Sequence, residues 1–550
     1  MTGGGLLAPV TATLGTPVTG SLQVAAWHRG VAWVTVAACV LACGPGGLRW
    51  LRVAQREHYL AGSVTRFAGR WWRTTPANTA LAAAALAAAV ASLWWPLVGV
   101  VVAGVVAVGP LGLTLKGRTS PLAWTRRLKT LAAVWAVLEV VVVAVGVAIG
   151  WAGPLAVLAA LVVPLLVDAA CLATTPLERR LSGHFVDDAS ARLARVGPTV
   201  VAITGSYGKT STKGHIAQLL RPDRSVVATP ASFNNRAGLA RAVNEHLADG
   251  TEVFVAEMGT YGPGEIADLC EWCPPDVAVI TAIGPVHLER FGTEDRIVEA
   301  KSEILGTAGD VVIPVDDPRL AEVARQAAAR GKRVVRCSAT DRSADVCVER
   351  SADGTTVSAF AHGALLAADV PVPTGVQPSN LACAIGVALV LGVDPSVVGQ
   401  RLAGMPAADH RLQSVRSASG VTILDDTYNS NPAGATEALG ALGHGADRDE
   451  TSPEGSHRLV VVTPGMVELG RRQFDENRHF GAAIAALADH LLIVGRTNRR
   501  ALLAGVASVS GSSLTVTEVG DRTEAVEWVR THLAPGDTVL YENDLPDHYP

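Results

Sequence analysis

The hydrophobic rhythm of the chain changes once along its length. Over the first third, apolar residues run on for stretches near the roughly 20 that a helix needs to cross a bilayer. These stretches are residues 30–48, 77–95, 97–115, 130–150 and 154–173, and they predict a multi-pass α-helical membrane region of about five spans. From about residue 199 the pattern shifts to short β-branched runs (TVVAITG, EVFVAEMG, DVAVITAIG, DVVIPVDD) separated by helical stretches, which predicts an α/β domain with a mainly parallel sheet. A break near residues 404–411 (GMPAADHR) is followed by VTILDDTY, RLVVVTPG, HLLIVGRT and DTVLYEN, a second α/β domain. The expected organisation is a membrane region over 1–180, a central domain over 181–409 and a C-terminal domain over 410–550.

Composition supports the lipid assignment: of 550 residues, 49% are hydrophobic and only 17% charged. The 46 Lys and Arg against 50 Asp and Glu give a net charge of −4, so bulk charge does not hold this chain to nucleic acid. The cations fall unevenly. Arg49, Arg52, Arg56, Arg66, Arg70 and Arg73 lie between the first two runs, and Lys116, Arg118, Arg126, Arg127 and Lys129 between the third and fourth. Cations are retained on the cytoplasmic side. Trp94-Trp95-Pro96 and Trp151-Ala152-Gly153 form short uncharged turns for the opposite face. Five crossings then place the N-terminus outside and everything after Glu178-Arg179-Arg180 in the cytoplasm. No cleaved leader is expected, because four further apolar runs follow the first and no basic segment precedes residue 28. Glu139, in the middle of the fourth run, needs a hydrogen-bonding partner or a lipid head group. The eight cysteines have no paired framework and are expected as reduced thiols, with the Cys270–Cys273 pair packing in a core.

The chemistry is concentrated in the second half. Thr204-Gly205-Ser206-Tyr207-Gly208-Lys209-Thr210-Ser211 lies between the strand VVAI and a helix expected to start near Thr212. Glycines let backbone N–H groups close around phosphate oxygens, Lys209 supplies countercharge, and the Thr210 hydroxyl can bind Mg²⁺. The loop is shorter than the common P-loop spacing, with Ile203 where a glycine would stand. Glu257 ends a strand at the carboxyl edge, where open α/β sheets bind ligands. His287 and Lys301 follow downstream as further candidates.

Residues 199–550 resemble the Mur ligase family of ATP-dependent amide-forming ligases, nearest the MurF branch, which adds D-alanyl-D-alanine to the cell-wall tripeptide precursor. The resemblance rests on TGSYGKTS at 204–211, Asn234-Asn235, AEMGTYGPGEI at 256–266, HLERFG at 287–292, AKSEI at 300–304, Asn380, Arg411, DDTYNSNP at 425–432 and PGMVELG at 464–470. It implies a central P-loop domain and a Rossmann-like C-terminal domain. Thr210 and Glu257 would hold one Mg²⁺ on the ATP phosphates, and His287 and Lys301 a second. The lysine at the Lys301 position is often carbamylated in the family, since a protonated amine cannot bind Mg²⁺ whereas a carbamate can. Lys209, His287 and Lys301 would be catalytic. Gly205, Ser206, Gly208, Ser211, Asn380, Arg411, Asp426 and Tyr428 would contact nucleotide, and Asn234, Asn235 and Asn429 substrate. The resemblance implies acyl-phosphate chemistry between a peptide-like carboxylate and an amino acid or dipeptide amine; a nucleotide-gated scaffold for a membrane complex is the alternative.

Three departures matter. Arg180–Pro198 is far shorter than the ~50 residues of a small domain, so membrane helices stand where the family's cell-wall ligases hold the UDP of a soluble substrate. A lipid-linked or membrane-held carboxylate is therefore expected. Val376 stands where the family usually has His. The terminal VLYENDLPDHYP replaces a Lys-Gly-Ser segment with Glu542, Asp544 and Asp547, which points to a different amine, one carrying positive charge.

Overall fold

The computed structural model describes residues 18–115, 122–181, 183–230, 233–373, 375–405, 412–427, 431–444, 457–545 and 548–550. They form two compact units: one of residues up to Arg179 together with the short segment after Pro546, the other spanning Arg180–Leu545.

The first unit is helical: α1 (Val18–Arg56), α2 (Ser63–Thr74), α3 (Pro76–Ala91), α4 (Gly99–Val108), α5 (Arg126–Ala148), α6 (Ala152–Leu161) and α7 (Val163–Leu181). Among the described residues two stretches, Gly30–Arg56 and Arg126–Ala148, are long and apolar enough to cross a membrane. The number rises to four if the bent pairs α2–α3 (113°) and α6–α7 (76°) each count as one span. The five expected runs thus become two to four candidates, because hydropathy counts residues and ignores direction. Thr75, extended before Pro76, redirects the chain between α2 and α3. Gly109-Pro110 ends α4 after ten residues, well short of the expected 97–115 run.

Polar groups in this unit are spent on helix ends. Arg49 donates to the carbonyls of Val106 (3.0 Å) and Val108 (2.8 Å) at the end of α4, and Arg52 to Thr114 (3.0 Å). Asp168 of α7 accepts from the backbone of Val64 and Thr65 and from the Thr65 hydroxyl (2.6 Å), capping the otherwise unsatisfied start of α2. Glu139 accepts from the Trp135 indole at 3.1 Å and from the Cys43 thiol of α1 at 3.8 Å, so an interhelical partner answers the expectation raised for it. His548 and Tyr549 are buried in this unit too: Trp71 donates to the His548 carbonyl (2.8 Å), His548 Nε2 meets Glu57 (2.9 Å), and the Phe67 ring lies 4.9 Å from both side-chain rings.

The second unit opens with α8 (Gly183–Val196) and carries two sheets. The first comprises β1 (Thr199–Thr204), β2 (Val226–Ala228), β3 (Val253–Glu257), β4 (Val277–Ile280), β5 (Asp310–Pro314), β6 (Arg333–Ser338), β7 (Val346–Arg350), β8 (Thr356–Ala361) and β9 (Ala364–Pro371). Their order is β2-β3-β1-β4-β5-β6-β7-β8-β9, parallel through β7 and antiparallel beyond. Both faces are covered. Val200 and Ala202 of β1 enter one apolar core and Val201 and Ile203 the other, which is why β1 reads as one continuous apolar run. The antiparallel extension β7–β9 is not among the elements the pattern predicts.

The second sheet has β10 (Gln413–Arg416), β11 (Thr422–Asp426), β12 (Leu459–Thr463), β13 (His490–Val494), β14 (Thr515–Val519) and β15 (Thr538–Glu542) in the order β10-β11-β15-β12-β13-β14, parallel except for the β10 edge. It forms its own two apolar cores. All eight cysteines are unpaired and buried, Cys39, Cys43 and Cys171 in the helical unit and the other five in the α/β unit. Cys270 and Cys273 sit in the apolar core against α8 and β3, with the Cys270 thiol 3.8 Å from the Met258 sulfur.

Candidate active site

Strand order reverses beside β1, which has β3 on one side and β4 on the other, and a crevice opens there at the carboxyl ends. The loop after β1 fills it. Gly208 has φ 83°, and a Cβ there would fall 2.3 Å from the Asn380 amide oxygen. A Cβ on Gly205 would fall 2.0 Å from the Thr281 hydroxyl. Both glycines are therefore required by close approach. The helix α9 (Lys209–Leu220) begins at Lys209, three residues before the expected start, so Lys209, Thr210 and Ser211 occupy its first turn, where backbone N–H groups point at a ligand. The loop is braced from β4: Ser206 N donates to Ala282 O (2.7 Å), the Ser206 hydroxyl exchanges bonds with Gly284, and Thr281 donates to Tyr207 O (2.5 Å).

Two lysines converge on one carbonyl. Lys209 Nζ donates to Gly205 O at 2.7 Å and Lys301, buried on the helix Glu294–Ser302, donates to the same oxygen at 3.0 Å. Burial, and secondarily the Lys209 charge, hold the Lys301 amine well below its ordinary pKa.

Glu257 ends β3 on the opposite side of the loop. Its Oε2 accepts from the Thr210 hydroxyl (3.0 Å) and from Lys213 Nζ (2.9 Å), and its Oε1 from the Asn234 amide (3.1 Å). Burial pushes this carboxyl up, but Lys213, Lys209 and the bonds from Lys213 and Asn234 outweigh it, and the group is held below the usual carboxylate range. Among the described residues no three His, Cys, Asp or Glu side chains form a ready metal cage. The hydroxyl and carboxylate oxygens of Thr210 and Glu257 beside a phosphate-sized cradle suit Mg²⁺, which keeps water and substrate phosphate in its shell.

His287 lies in the stretch between β4 and the next helix. It precedes the one-turn helix Leu288–Phe291 with φ 58°, and its Nδ1 contacts the Glu468 carboxylate of the second sheet's domain. Asn235 caps the helix Arg236–His246, its side-chain oxygen accepting from Gly238 N at 3.0 Å. Asn234 serves Glu257. Arg411, Tyr428 and Asn429 lie outside the described residues.

A cavity of about 1050 Å³ connects the loop to the second sheet, lined by Tyr207, Gly208, Ser211, Asn380 and Gln377 on one side and Asp426 and Asn431 on the other. Asp426 pairs in register with Glu542 at the carboxyl ends of β11 and β15. Glu542 is fully buried and accepts from Thr463 (2.6 Å); burial, with Asp426 beside it, pushes its pKa up to about 8. Sequence reasoning missed Lys213, Glu468 and Arg290. Lys213 falls four residues after Lys209, one helical turn on, and that spacing was its available signal.

Two family models match in tandem, the Mur ligase middle domain over residues 203–388 and the Mur ligase glutamate ligase domain over 410–541. A UDP-N-acetylmuramoyl-tripeptide–D-alanyl-D-alanine ligase of Mycobacterium tuberculosis is 34% identical over 372 residues, covering 64% of this chain and 71% of that one. The chain belongs to the Mur ligase family. Solved structures agree: MurF from Acinetobacter baumannii (TM-score 0.55, 26% identity, 66% of this chain and 77% of that one) and MurF from Thermotoga maritima in complex with ADP (0.54, 27%, 66% and 80%). In this Mur ligase the loop at 204–211, Glu257 and Lys301 fall within the middle domain, Asp426 and Glu468 within the glutamate ligase domain, and Glu542 one residue past its match. The helical unit lies outside both models and differs from the UDP-binding domain of the cell-wall ligases.

Proposed function

We propose that this Mur ligase joins a carboxylate to an amine in cell-envelope peptide synthesis, working at a membrane and through an acyl phosphate. The observation that carries the reading is the convergence of Lys209 and Lys301 on Gly205 O, across the loop from the Thr210–Glu257 pair. The carboxylate of the donor attacks the γ-phosphorus of ATP and ADP departs; Lys209, aimed at the loop, offsets charge on the transferred group. The amine then attacks the acyl carbon and phosphate leaves. Magnesium, when bound, neutralises phosphate charge in both steps; Thr210 and Glu257 would hold one ion, and His287 with carbamylated Lys301 the other. Walls from both domains around the cavity shield the acyl phosphate from water.

The M. tuberculosis relative's name gives the first substrate pair to try, a UDP-linked muramoyl tripeptide with D-alanyl-D-alanine. The helical unit in place of a UDP-binding domain favours a donor held in the membrane instead. Its outward apolar surface, including Leu41, Val140 and Leu172, and the exposed Trp94, Trp95 and Trp151 at turns, support immersion in lipid. The arginine-rich connections and the ligase domains would share the cytoplasmic face.

The test is phosphate release by detergent-solubilised full-length protein with ATP and Mg²⁺, across UDP-linked and lipid-linked muramoyl peptides and a panel of amines, with Lys209→Ala as the blank. Release that needs a lipid-linked donor and one amine supports the full reading. Release with the soluble donor alone reduces the helices to an anchor, and silence with every pair overturns the ligase reading in favour of a nucleotide-gated scaffold.

A further inference from the structure

The ligase reading assigns His287 to a cation but leaves unexplained why its ring is held by the other domain. Glu468 lies in the loop after β12, within Pro464–Gly470, and one oxygen of its carboxylate contacts His287 Nδ1 while the other accepts from Arg290 at 3.2 Å. Its backbone carbonyl accepts from Glu289 N at 3.2 Å. Two residues on, a Cβ at Gly470 would sit 3.2 Å from Glu289 N, so the two domains touch backbone to backbone here. Both His287 (φ 58°) and Glu468 (φ 64°) adopt left-handed backbone, uncommon for residues with a side chain. Such conformations cost about 1–3 kcal/mol each and gather where geometry serves function. The His287 ring meets the Tyr261 ring edge-on at 5.2 Å, and the Arg290 guanidinium lies 4.5 Å over the Tyr261 ring.

Imidazole has two nitrogens and one proton when neutral. A carboxylate at Nδ1 takes the N–H there and leaves the lone pair on Nε2, the arrangement by which a second carboxylate usually orients a metal-binding histidine. We propose that Glu468 is a positioning residue through which the C-terminal domain makes His287 competent to bind a divalent cation, so that the second cation is gained only when that domain is docked. The inference rests on the ligase reading for the role of His287, yet it concerns cation binding and is tested without turnover.

The experiment is a Mn²⁺ titration followed by electron paramagnetic resonance on the full-length protein with a non-hydrolysable ATP analogue, comparing wild type, Glu468→Gln, Glu468→Asp and Arg472→Ala. Arg472 makes a separate interdomain pair with Glu294, and its variant is the control for losing one charge at this contact while Glu468 stays on His287. Two bound Mn²⁺ are expected in wild type, with affinity for one of them falling 10–100-fold in Glu468→Gln, partly recovered in Glu468→Asp and unchanged in Arg472→Ala. Equal Mn²⁺ binding in wild type and Glu468→Gln overturns the proposal. A single Mn²⁺ in wild type also overturns it. Failure of the ligase reading shows differently, as absent phosphate release beside an intact two-site titration. Glu468→Gln keeps the volume of the side chain, and its melting temperature checks that it folds.

Discussion

Lys213 and Glu257 form a pair 2.9 Å apart whose side chains are only 7% and 2% exposed. Removing one member of such a pair strands a buried charge, which costs about 3–5 kcal/mol. Lys213→Met is expected to lower unfolding free energy by that order in urea titration, whereas Lys213→Met with Glu257→Gln should recover most of it. Glu542 gives a pH signature of opposite kind to an ordinary acid. Its carboxyl is raised to about 8 when folded, against 4.5 in the unfolded chain, so the folded state holds the extra proton between those values. Stability from this group is complete below about pH 4.5 and is lost as pH rises toward 8. Glu542→Gln should flatten that decline, with melts at pH 5 and pH 8 as the measure; an unchanged slope would refute the assignment. Of these residues, Thr210 and Glu257 were legible because a loop motif and a strand end dictate their place. Lys213 was not, since a lysine on a helix is usually solvated and only the fold brings β3 against it.

At the scale of elements, the C-terminal domain depends on a close crossing of the helices Gln473–Leu487 and Arg499–Val506. A Cβ on Gly505 would lie 2.0 Å from Arg478 O, and one on Gly481 would lie 2.4 Å from Leu502 O. Both obstacles are backbone and neither can swing aside. Gly505→Ala is expected to destabilise the domain by more than about 2 kcal/mol. Gly214→Ala, in the exposed face of α9 with nothing within 4 Å, should instead stabilise by up to about 1 kcal/mol. Thermal melts of the two variants decide both. The parallel strands were legible because burial on two faces leaves unbroken apolar runs. The edge strands β7–β9 were not: β9 opens on the apolar run ALLAA yet is largely exposed, so its pattern does not report burial on two faces. In the helical unit, apolar length was legible but the bends at Thr75 and Val162 were hidden, because direction resides in backbone angles that hydropathy does not record.

The whole molecule has two compact units, and a ligand of one should report on it alone. ADP with Mg²⁺ at about 100 times its Kd would add about 2.7 kcal/mol to the α/β unit. Calorimetry is expected to show its transition move upward while that of the helical unit stays; a joint shift would mean the two unfold together. The helical unit has its own polar keystone in His548, buried against Glu57 and Phe67. Phe67→Ala should lower that unit's transition by the ~3–5 kcal/mol typical of a lost buried aromatic. No pattern in the sequence announces that contact, which joins positions almost five hundred residues apart.

The burial of every cysteine gives this protein a chemical clock. A maleimide added to the native chain should find no reactive thiol, so labelling proceeds only through opening, and mass spectrometry of the tagged peptides would date each event. Cys39, Cys43 and Cys171 time the helical unit, while Cys270, Cys273, Cys337, Cys347 and Cys383 time the α/β unit. A single cysteine introduced on the surface would then be the only site taken up by a dye, and the sidedness of each loop could be read in intact cells without first removing any native thiol.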